Sequence, residues 1–236
     1  MPSPAFSALA ICFITCNEDT VKERIFMLDI ETTGLNPALD DILEIAILEC
    51  VADKGFYSPE RYMDLFLPNP RKPETDFAKE RMRWIYDHCN MLYEAGDPPL
   101  SEDVRETLIA FFNRCGARRR WDRTIAGWNL GSLDRPFLFA KGMLAEEDIH
   151  YRMYEMGGCA ELFHDAVQRD VNEGQISFAL ASIDGLGPHI PLPGVLMMPE
   201  GTTHTGEDLS HWGLYDCYAQ LKKLNDFIAA FRHGVE

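Results

Sequence analysis

Asp29 and Glu31 stand two residues apart in IFMLDIE, an apolar run at residues 25–31 that is typical of a buried strand. Residues two apart on a strand face the same side. We therefore expect both carboxylates to point together while Leu28 and Ile30 point into the core. Two anions held a few ångströms apart repel each other unless a cation lies between them. Because an unpaired charge in an apolar strand is unfavourable, the pair indicates a metal site; the alternative is a plain strand-end or turn carboxylate.

A third carboxylate, Asp134, follows a predicted strand at residues 124–127. Asn129 and Gly131 indicate a turn after that strand, which places Asp134 in the first turn of the next helix. An acidic residue there also interacts favourably with the helix dipole. The position alone therefore allows either a metal ligand or a purely structural carboxylate.

A fourth carboxylate, Asp216, stands five residues after His211 in HWGLYD. Five residues turn an ideal helix by about 500°, so the two side chains would point about 140° apart. They cannot face one site from within the same regular helix. We therefore predict that His211 lies in the loop entering the helix, from which it can swing over a metal site that Asp216 helps to hold.

These residues together resemble the three motifs of the DEDDh superfamily of 3′→5′ exonucleases, which have an RNase H-like fold. The first motif is Asp29-x-Glu31 followed by TTG, and the second is Asp134 in the setting GxNxxxxDRPFL. The third is His211-x-x-x-x-Asp216. The likeness runs over roughly residues 25–232, with the motifs in matching order. It implies phosphodiester hydrolysis at a site built from these five side chains.

Within this superfamily the chain is most similar to oligoribonuclease and RNase T-like members. The spacing from Asn129 to Asp134, the HYR triplet at residues 150–152 and a helical insert around Trp84 resemble oligoribonuclease. The first 24 residues, the Gly/Pro-rich loop at 185–205 and Thr32 with Thr33 are more similar to the wider group, which includes RNase T and proofreading exonucleases.

The four carboxylates would carry −4, which two divalent cations would balance. Oxygen ligands completed by water favour Mg²⁺ or Mn²⁺ over zinc. In such sites one ion activates the attacking water and the other stabilises the leaving 3′ oxygen. His211 is predicted to be the general base, because its unperturbed pKa of about 6.5 suits proton removal near neutral pH. His204, four residues before Asp208, is a rival whose spacing is one residue short of the third motif.

The resemblance also implies contacts to the substrate. Leu35 is expected to wedge against a terminal base, and Trp84 or Trp128 to stack on bases or pack in the core. The predicted substrate-binding residues are Thr32, Gly34, Leu35, Trp84 and Asn129.

The charge balance limits how nucleic acid could be bound. The 236 residues include 22 Lys+Arg and 38 Asp+Glu, a net charge of −16 with a sequence pI near 4.8. This excludes a basic protein that coats long nucleic acids by counterion release. Capture of a few terminal nucleotides by metals, backbone amides and stacking side chains is expected instead. The cluster of Arg118, Arg119, Arg120 and Arg123 either guides a phosphate backbone or forms a solvated loop.

The periodicities predict one α/β domain with a mixed five-stranded sheet flanked by helices. The predicted strands cover residues 25–30, 42–51, 61–67, 124–127 and 151–156, the first three as an antiparallel meander. The predicted helices cover 76–94, 101–115, 133–144, 158–171, 177–183 and 211–232. The exonuclease domain is assigned to residues 25–236, and residues 1–24 to an arm or an extra edge element.

The seven widely spaced cysteines, without a Cys-x-x-Cys pair, are interpreted as reduced core thiols. No apolar run is long enough to span a bilayer, and a secretory signal pattern is missing. We expect a cytoplasmic protein without membrane contact. The resemblance to the superfamily also implies a homodimer.

The sequence thus predicts a metal-dependent enzyme that releases nucleoside monophosphates from single-stranded RNA or DNA 3′ ends, including short oligoribonucleotides. Two alternatives remain open at this point. One is a DNA-directed exonuclease of the proofreading or repair type, and the other is a non-catalytic binding module with the same fold.

Overall fold

The central strand β1 (Arg24–Thr32) lies between two strands on its antiparallel side and two strands on its parallel side. On one side are β2 (Ile42–Asp53) and β3 (Phe56–Phe66), which form the predicted antiparallel meander. On the other side are β4 (Ile125–Gly127) and β5 (Met153–Glu155), both parallel to β1. The order β3-β2-β1-β4-β5 confirms the mixed five-stranded sheet and corresponds to an RNase H-like fold.

The computed structural model describes residues 23–70, 82–96, 99–158, 185–193, 195–197, 203–205, 209 and 211–233. The predicted arm at 1–24 lies almost entirely outside these residues. So do the beginning of the predicted helix at 76–94, nearly all of the one at 158–171, and the whole of the one at 177–183.

Four helices with defined bounds flank the sheet, and a further helical segment begins at residues 156–158. They are α1 (Arg83–Ala95), α2 (Ser101–Arg114), α3 (Asp134–Ala140) and α4 (Gly213–His233). A 3₁₀ turn at Arg120–Asp122 precedes β4. None of the described helices is long and apolar enough to cross a membrane.

Two element boundaries, the start of β3 and the end of α3, differ from the predictions by five and four residues. β3 begins at Phe56 instead of residue 61, because Lys54 and Gly55 at φ 51° and 83° form a tight hairpin turn. Pro59 disfavours a strand because proline has no backbone N–H to donate. It is tolerated here because β3 is an edge strand and the register shifts next to Pro59. α3 ends at Ala140 instead of residue 144, shortly before Gly142 at φ 68°.

The predicted loop at 185–205 contains two short strands, which the sequence analysis missed. β6 (Val195–Met197) and β7 (Thr203–Thr205) pair antiparallel as a separate two-stranded sheet. Strands of three residues are too short to show the alternation by which strands are recognised.

The alternation of side chains along β1 divides the core into two layers. Phe26, Leu28 and Ile30 pack against α2 and α3 on one face. Ile25 and Met27 pack against α4 on the other face, which is the face that Asp29 and Glu31 share. Among the described cysteines, Cys50, Cys89, Cys115 and Cys217 are buried free thiols. The sheet thus presents the acidic end of β1 to α4.

The buried side chain of Asn225 fastens α4 across the sheet. Its Nδ2 donates to the Tyr57 carbonyl at 2.7 Å, and its Oδ1 accepts from the Tyr57 amide at 2.9 Å. These two bonds satisfy a backbone donor and a backbone acceptor in β3, which positions α4 relative to the meander.

Replacing Asn225 by Ala should lower the free energy of unfolding by about 2–4 kcal/mol, because it leaves both Tyr57 backbone groups without these partners. Urea denaturation measures the change. Asn90→Ala, which removes an exposed side-chain hydrogen bond to Glu94 on α1, is the matched control and should change stability by less than about 0.5 kcal/mol. Similar losses in both variants would contradict this role for Asn225.

Candidate active site

Three carboxylates from two elements meet at the carboxyl end of β1. Asp29 and Glu31 project from the strand toward α4, and Asp216 projects from the first turn of that helix. One oxygen of each lies within 4.8 Å of the others. The packing of α4 on β1 therefore brings together residues that are far apart in sequence.

His211 lies in the turn before α4, as its spacing from Asp216 predicts. Its Nδ1 is 4.0 Å from Glu31 Oε1, and its side chain is partly exposed. Its backbone has φ 68°, a left-handed conformation that is uncommon for residues other than Gly and Asn. This conformation turns the imidazole toward the carboxylates while α4 continues from Gly213.

Asp134 begins α3, as predicted, and reaches the same site from the opposite layer. Its Oδ1 accepts a hydrogen bond from the Ile30 amide at 3.0 Å. Its Oδ2 is buried and has no hydrogen-bond partner in the structure. Asp134 is therefore fixed beside β1, with one oxygen left for a further ligand, although it is not one of the three carboxylates that converge within 4.8 Å.

The site disfavours four simultaneous negative charges. Burial raises the pKa of Asp29 well above its ordinary value, and the charges of Asp134 and Asp216 raise it further. Burial and the neighbouring carboxylates have the same effect on the pKa of Glu31. Burial also raises the pKa of Asp134 to about 7 and that of Asp216 to about 6. Charge and desolvation thus both favour a bound cation or bound protons.

The donor set fits divalent metal ions. All the converging ligand atoms are carboxylate oxygens, which Mg²⁺ and Mn²⁺ prefer. The buried, unpartnered Oδ2 of Asp134 is the kind of atom that a metal ion or its bound water would satisfy. Asp29, Glu31, Asp134 and Asp216 are therefore the residues that could hold such ions.

The carboxylates line a cleft of about 820 Å³. Its wall includes four of the predicted substrate-binding residues, together with Trp128 and His211; the four are Thr32, Gly34, Leu35 and Asn129. Leu35 is 82% exposed, at the tip of the loop after β1. The cleft is therefore open to a ligand at the position where an apolar side chain projects.

The loop that carries Leu35 is held by hydrogen bonds at its base. The Thr33 amide donates to the Asp41 carbonyl at 2.9 Å, and the Asp41 amide donates to Thr33 Oγ1 at 2.9 Å. A Cβ at Gly34 would lie 2.5 Å from the Asp40 carboxylate, so the loop closes tightly at that glycine. Leu35 is thus presented on a braced loop.

Trp84 is placed differently from the prediction that it contacts substrate. It lies outside the cleft wall and packs edge-on against Phe66, with ring centroids 6.0 Å apart. Packing of Trp84, a residue of α1, against Phe66 accounts for the position of its side chain without a ligand.

The rival histidine, His204, belongs to β7, and the described residues show nothing further about it.

Gln220 and Glu155, which were not predicted from the sequence, support the site. Gln220 Nε2 donates to Asp29 Oδ1 at 3.0 Å, four residues after Asp216 on the same face of α4. Glu155, at the end of β5, accepts from the amides of Asn129 and Gly131 at 2.8 and 2.9 Å. The i,i+4 spacing was a usable signal for Gln220, whereas the Glu155 contacts depend on strand pairing.

A partly buried hydrogen bond holds the turn that carries His211. Trp212 Nε1 donates to Asp64 Oδ2 at 2.7 Å, beside the fully buried Glu44. Burial raises the pKa of both Asp64 and Glu44. A Cβ at Gly213 would lie 3.2 Å from Glu44 Oε1, so the start of α4 lies close against β2. This packing fixes the position from which His211 projects.

No protein-family profile matches the chain, and none of the curated proteins matches it significantly. Solved structures do match. E. coli exonuclease I, in its zinc-bound complex with single-stranded DNA, is 12% identical over 90% of this chain and 41% of that chain, with a TM-score of 0.54. The same enzyme with a 5cy-dT13 oligonucleotide is 13% identical over 90% and 41%, with a TM-score of 0.47. The chain thus spans about 41% of that enzyme's length, and the first likeness shows a shared fold.

Trp212→Phe should lower the free energy of unfolding by about 1–3 kcal/mol, since it removes the indole donor from the partly buried Asp64. Guanidinium denaturation followed by far-UV circular dichroism measures this loss. Trp121→Phe, at an exposed tryptophan, is the control and should stay within about 0.5 kcal/mol of wild type. An unchanged midpoint for Trp212→Phe would contradict the role assigned to this bond.

Asp216→Asn should stabilise the protein in EDTA at pH 8 by on the order of 1–2 kcal/mol, because it removes one buried charge. The pKa values in the folded state, about 7 for Asp134 and about 6 for Asp216, lie above the value of about 4 in the unfolded state. The free energy of unfolding should therefore decrease as the pH rises from about 4 to these values. This loss should be smaller in the variant.

At pH 8, added Mn²⁺ should make the wild type more stable than Asp216→Asn, because the ion binds the complete carboxylate cluster of the wild type more tightly. Thermal unfolding with EDTA or Mn²⁺ tests both points. Asp53→Asn, at the exposed end of β2, should follow the wild type. Equal responses of wild type and Asp216→Asn to Mn²⁺ would contradict a metal site at this cluster.

Proposed function

We propose that the protein is a metal-dependent 3′→5′ exonuclease that releases nucleoside monophosphates from single-stranded nucleic acid. The observation that carries this proposal is the convergence of Asp29, Glu31 and Asp216 within 4.8 Å of one another, beside His211, in an open cleft. Asp134 lines the same cleft with an unpartnered oxygen. The fold shared with E. coli exonuclease I supports the proposal, as does that enzyme's complex with single-stranded DNA.

Asp29, Glu31, Asp134 and Asp216 would hold two Mg²⁺ or Mn²⁺ ions. When bound, the ions would supply an activated water and stabilise charge on the leaving 3′ oxygen. The protein holds the ligands in place beforehand, since Ile30 and Gln220 donate to Asp134 and Asp29. This preorganisation reduces the rearrangement needed when ions and substrate bind.

His211 acts as the general base in this proposal. Its imidazole is partly exposed and lies 4.0 Å from Glu31, so it can accept the proton of a water held between itself and the carboxylates. The protonated imidazole would be stabilised by the neighbouring negative charge and could release its proton to solvent at the cleft mouth. A side chain on a turn can approach and leave the site without moving α4.

The cleft wall is suited to the end of a strand. Leu35 projects from its braced loop, where it can pack against the terminal base, and Trp128 offers an aromatic surface in the same cleft. Thr32, Gly34 and Asn129 provide polar and backbone groups along the wall. The net charge of −16 opposes long phosphate contacts and favours recognition of a few nucleotides at the terminus.

Asp29→Asn should reduce hydrolysis at least about 100-fold, because it removes a carboxylate that the ions need. His211→Asn should reduce it about 100-fold or more, through loss of the base. Asparagine is chosen there because it tolerates the positive φ of His211. The assay is release of mononucleotides from labelled RNA and DNA strands of three and about 20 nucleotides, with Mn²⁺.

His204→Asn serves as the matched control and should retain the rate. The opposite ranking of the two histidine variants would move the base to His204. Wild-type activity in Asp29→Asn, or no activity in the wild type, would refute the exonuclease. The paired RNA and DNA strands decide between an oligoribonuclease-type and a DNA-directed enzyme.

A further inference from the structure

Five exposed residues outside the cleft form what we call the basic-aromatic patch: Arg119, Arg120, Trp121, Tyr151 and Arg152. The first three lie on the turn that leads into β4, and the other two directly precede β5. Because β4 and β5 are adjacent and parallel, their amino ends lie side by side. The patch therefore joins two chain segments at one edge of the sheet.

The aromatic rings of the patch are exposed and accompanied by cations. Trp121 is 58% exposed and Tyr151 is 69% exposed. The guanidinium of Arg119 lies 6.0 Å from the Trp121 ring centroid, and that of Arg152 lies 5.5 Å from the Tyr151 ring. Large exposed aromatics beside arginines are the combination that stacks on bases and contacts phosphates.

Buried hydrogen bonds hold the patch in shape. The His150 amide donates to the Arg123 carbonyl at 3.1 Å, which links the two segments. Arg123 itself is buried and donates to the carbonyls of Ala117 and Asp148 at 2.9 and 2.8 Å. Arg123 is thus structural and separate from the exposed arginines. The patch is a rigid surface built on that buried guanidinium.

His150 orients the tyrosine. Its ring stacks on Tyr151 with centroids 4.5 Å apart, and its Nδ1 accepts from the Arg152 amide at 2.8 Å. One face of the Tyr151 ring is therefore occupied by the imidazole. This arrangement limits the motion of an exposed ring, which reduces the entropy lost when a ligand stacks on it.

Nearby acidic residues are already engaged. Asp148 accepts from Arg105 at 2.7 Å, and Glu147 pairs with the same arginine at 3.0 Å. The Asp122 carboxylate accepts from the Arg119 amide at 3.1 Å. Within the described residues, the patch arginines form no ion pair. Their charge is therefore available to an anionic ligand, on a protein whose net charge is −16.

The patch and the cleft lie at opposite ends of the same strands. Phe26 pairs with Ile125, so the patch lies beyond the end of β1 that is remote from Glu31, with roughly 16 Å of strand between Phe26 and Glu31. Tyr154 lies between the two sites. Its register with Ala126 and Met27 puts it on the sheet face of the acidic cluster. A strand that occupies both sites must therefore be longer than the few nucleotides that the cleft holds.

We propose that the basic-aromatic patch is a second binding site for single-stranded nucleic acid, which holds the part of a long strand that lies outside the cleft. As an extension of the proposed function, this makes affinity depend on length while hydrolysis of the shortest substrates depends on the cleft alone. The pairing of two aromatic rings with arginines favours bases and phosphates over an acidic protein segment, because a carboxylate-rich chain gains nothing from stacking.

Fluorescence anisotropy with labelled strands of three and 20 nucleotides, in EDTA to prevent hydrolysis, tests this site. Trp121→Ala with Tyr151→Ala should raise the Kd of the 20-nucleotide strand at least tenfold, since each stacked base contributes substantially to binding. Binding and Mn²⁺-dependent hydrolysis of the trinucleotide should stay unchanged. Tyr62→Ala, at a 60% exposed tyrosine on β3, is the matched control and should bind like wild type.

Charge substitutions provide an independent measurement. Arg119→Ala with Arg120→Ala should reduce the slope of log K against log salt by about 1.4, which corresponds to two lost phosphate contacts. Arg119→Lys with Arg120→Lys should preserve the slope. Unfolding midpoints equal to wild type confirm that the variants are folded.

A Kd for the 20-nucleotide strand within twofold of wild type in both sets of variants would overturn the proposal. That result would favour an acidic protein segment as the ligand of the patch. Failure of the wild type to bind this strand would overturn it as well. Absence of trinucleotide hydrolysis would instead contradict the proposed function, because the anisotropy measurement needs no catalysis.

Discussion

The electrostatic repulsion among buried and half-buried carboxylates at the end of β1 is the constraint around which the molecule is organised. Asp29, Glu31 and Asp216 lie within 4.8 Å of one another, with Asp134 beside them. Such a cluster opposes folding when all its members are charged. The packing of α4 on β1 keeps them together, and Ile30 and Gln220 donate hydrogen bonds directly to Asp134 and Asp29. The stability of the remaining fold thus offsets the repulsion among these carboxylates.

The supports of the site come from parts of the chain that carry no chemistry themselves. Asn225 fastens α4 to β3, and Trp212 fastens the His211 turn to Asp64. Glu155 at the end of β5 holds the turn at Asn129. Each contact joins separate elements, so the relative positions of strands and helices determine the geometry of the cleft. A turn residue in a left-handed conformation can then present its imidazole without disturbing the helix that follows.

The acidic cluster and the basic-aromatic patch lie at different ends of the sheet. Acidic residues concentrate at the carboxyl ends of the parallel strands, whereas exposed arginines with aromatic rings occur at their amino ends. A net charge of −16 means that non-specific attraction to phosphates is weak over most of the surface. Under the proposed function, local groups such as these arginines would then determine where a nucleic-acid strand binds.

The sequence by itself determined the five strands of the main sheet and the acidic character of the site. Period-two alternation in β1 put Asp29 and Glu31 on one face, and the spacing of His211 from Asp216 placed the histidine in a turn, because both are local geometric rules. Tertiary structure alone decided that Asp134 approaches β1 with one oxygen unpartnered, that Trp84 packs on Phe66 outside the cleft, and that Arg123 is buried while Trp121 is exposed. These outcomes depend on which surfaces meet when distant segments pack. A local sequence pattern does not show which residues from other segments will contact it.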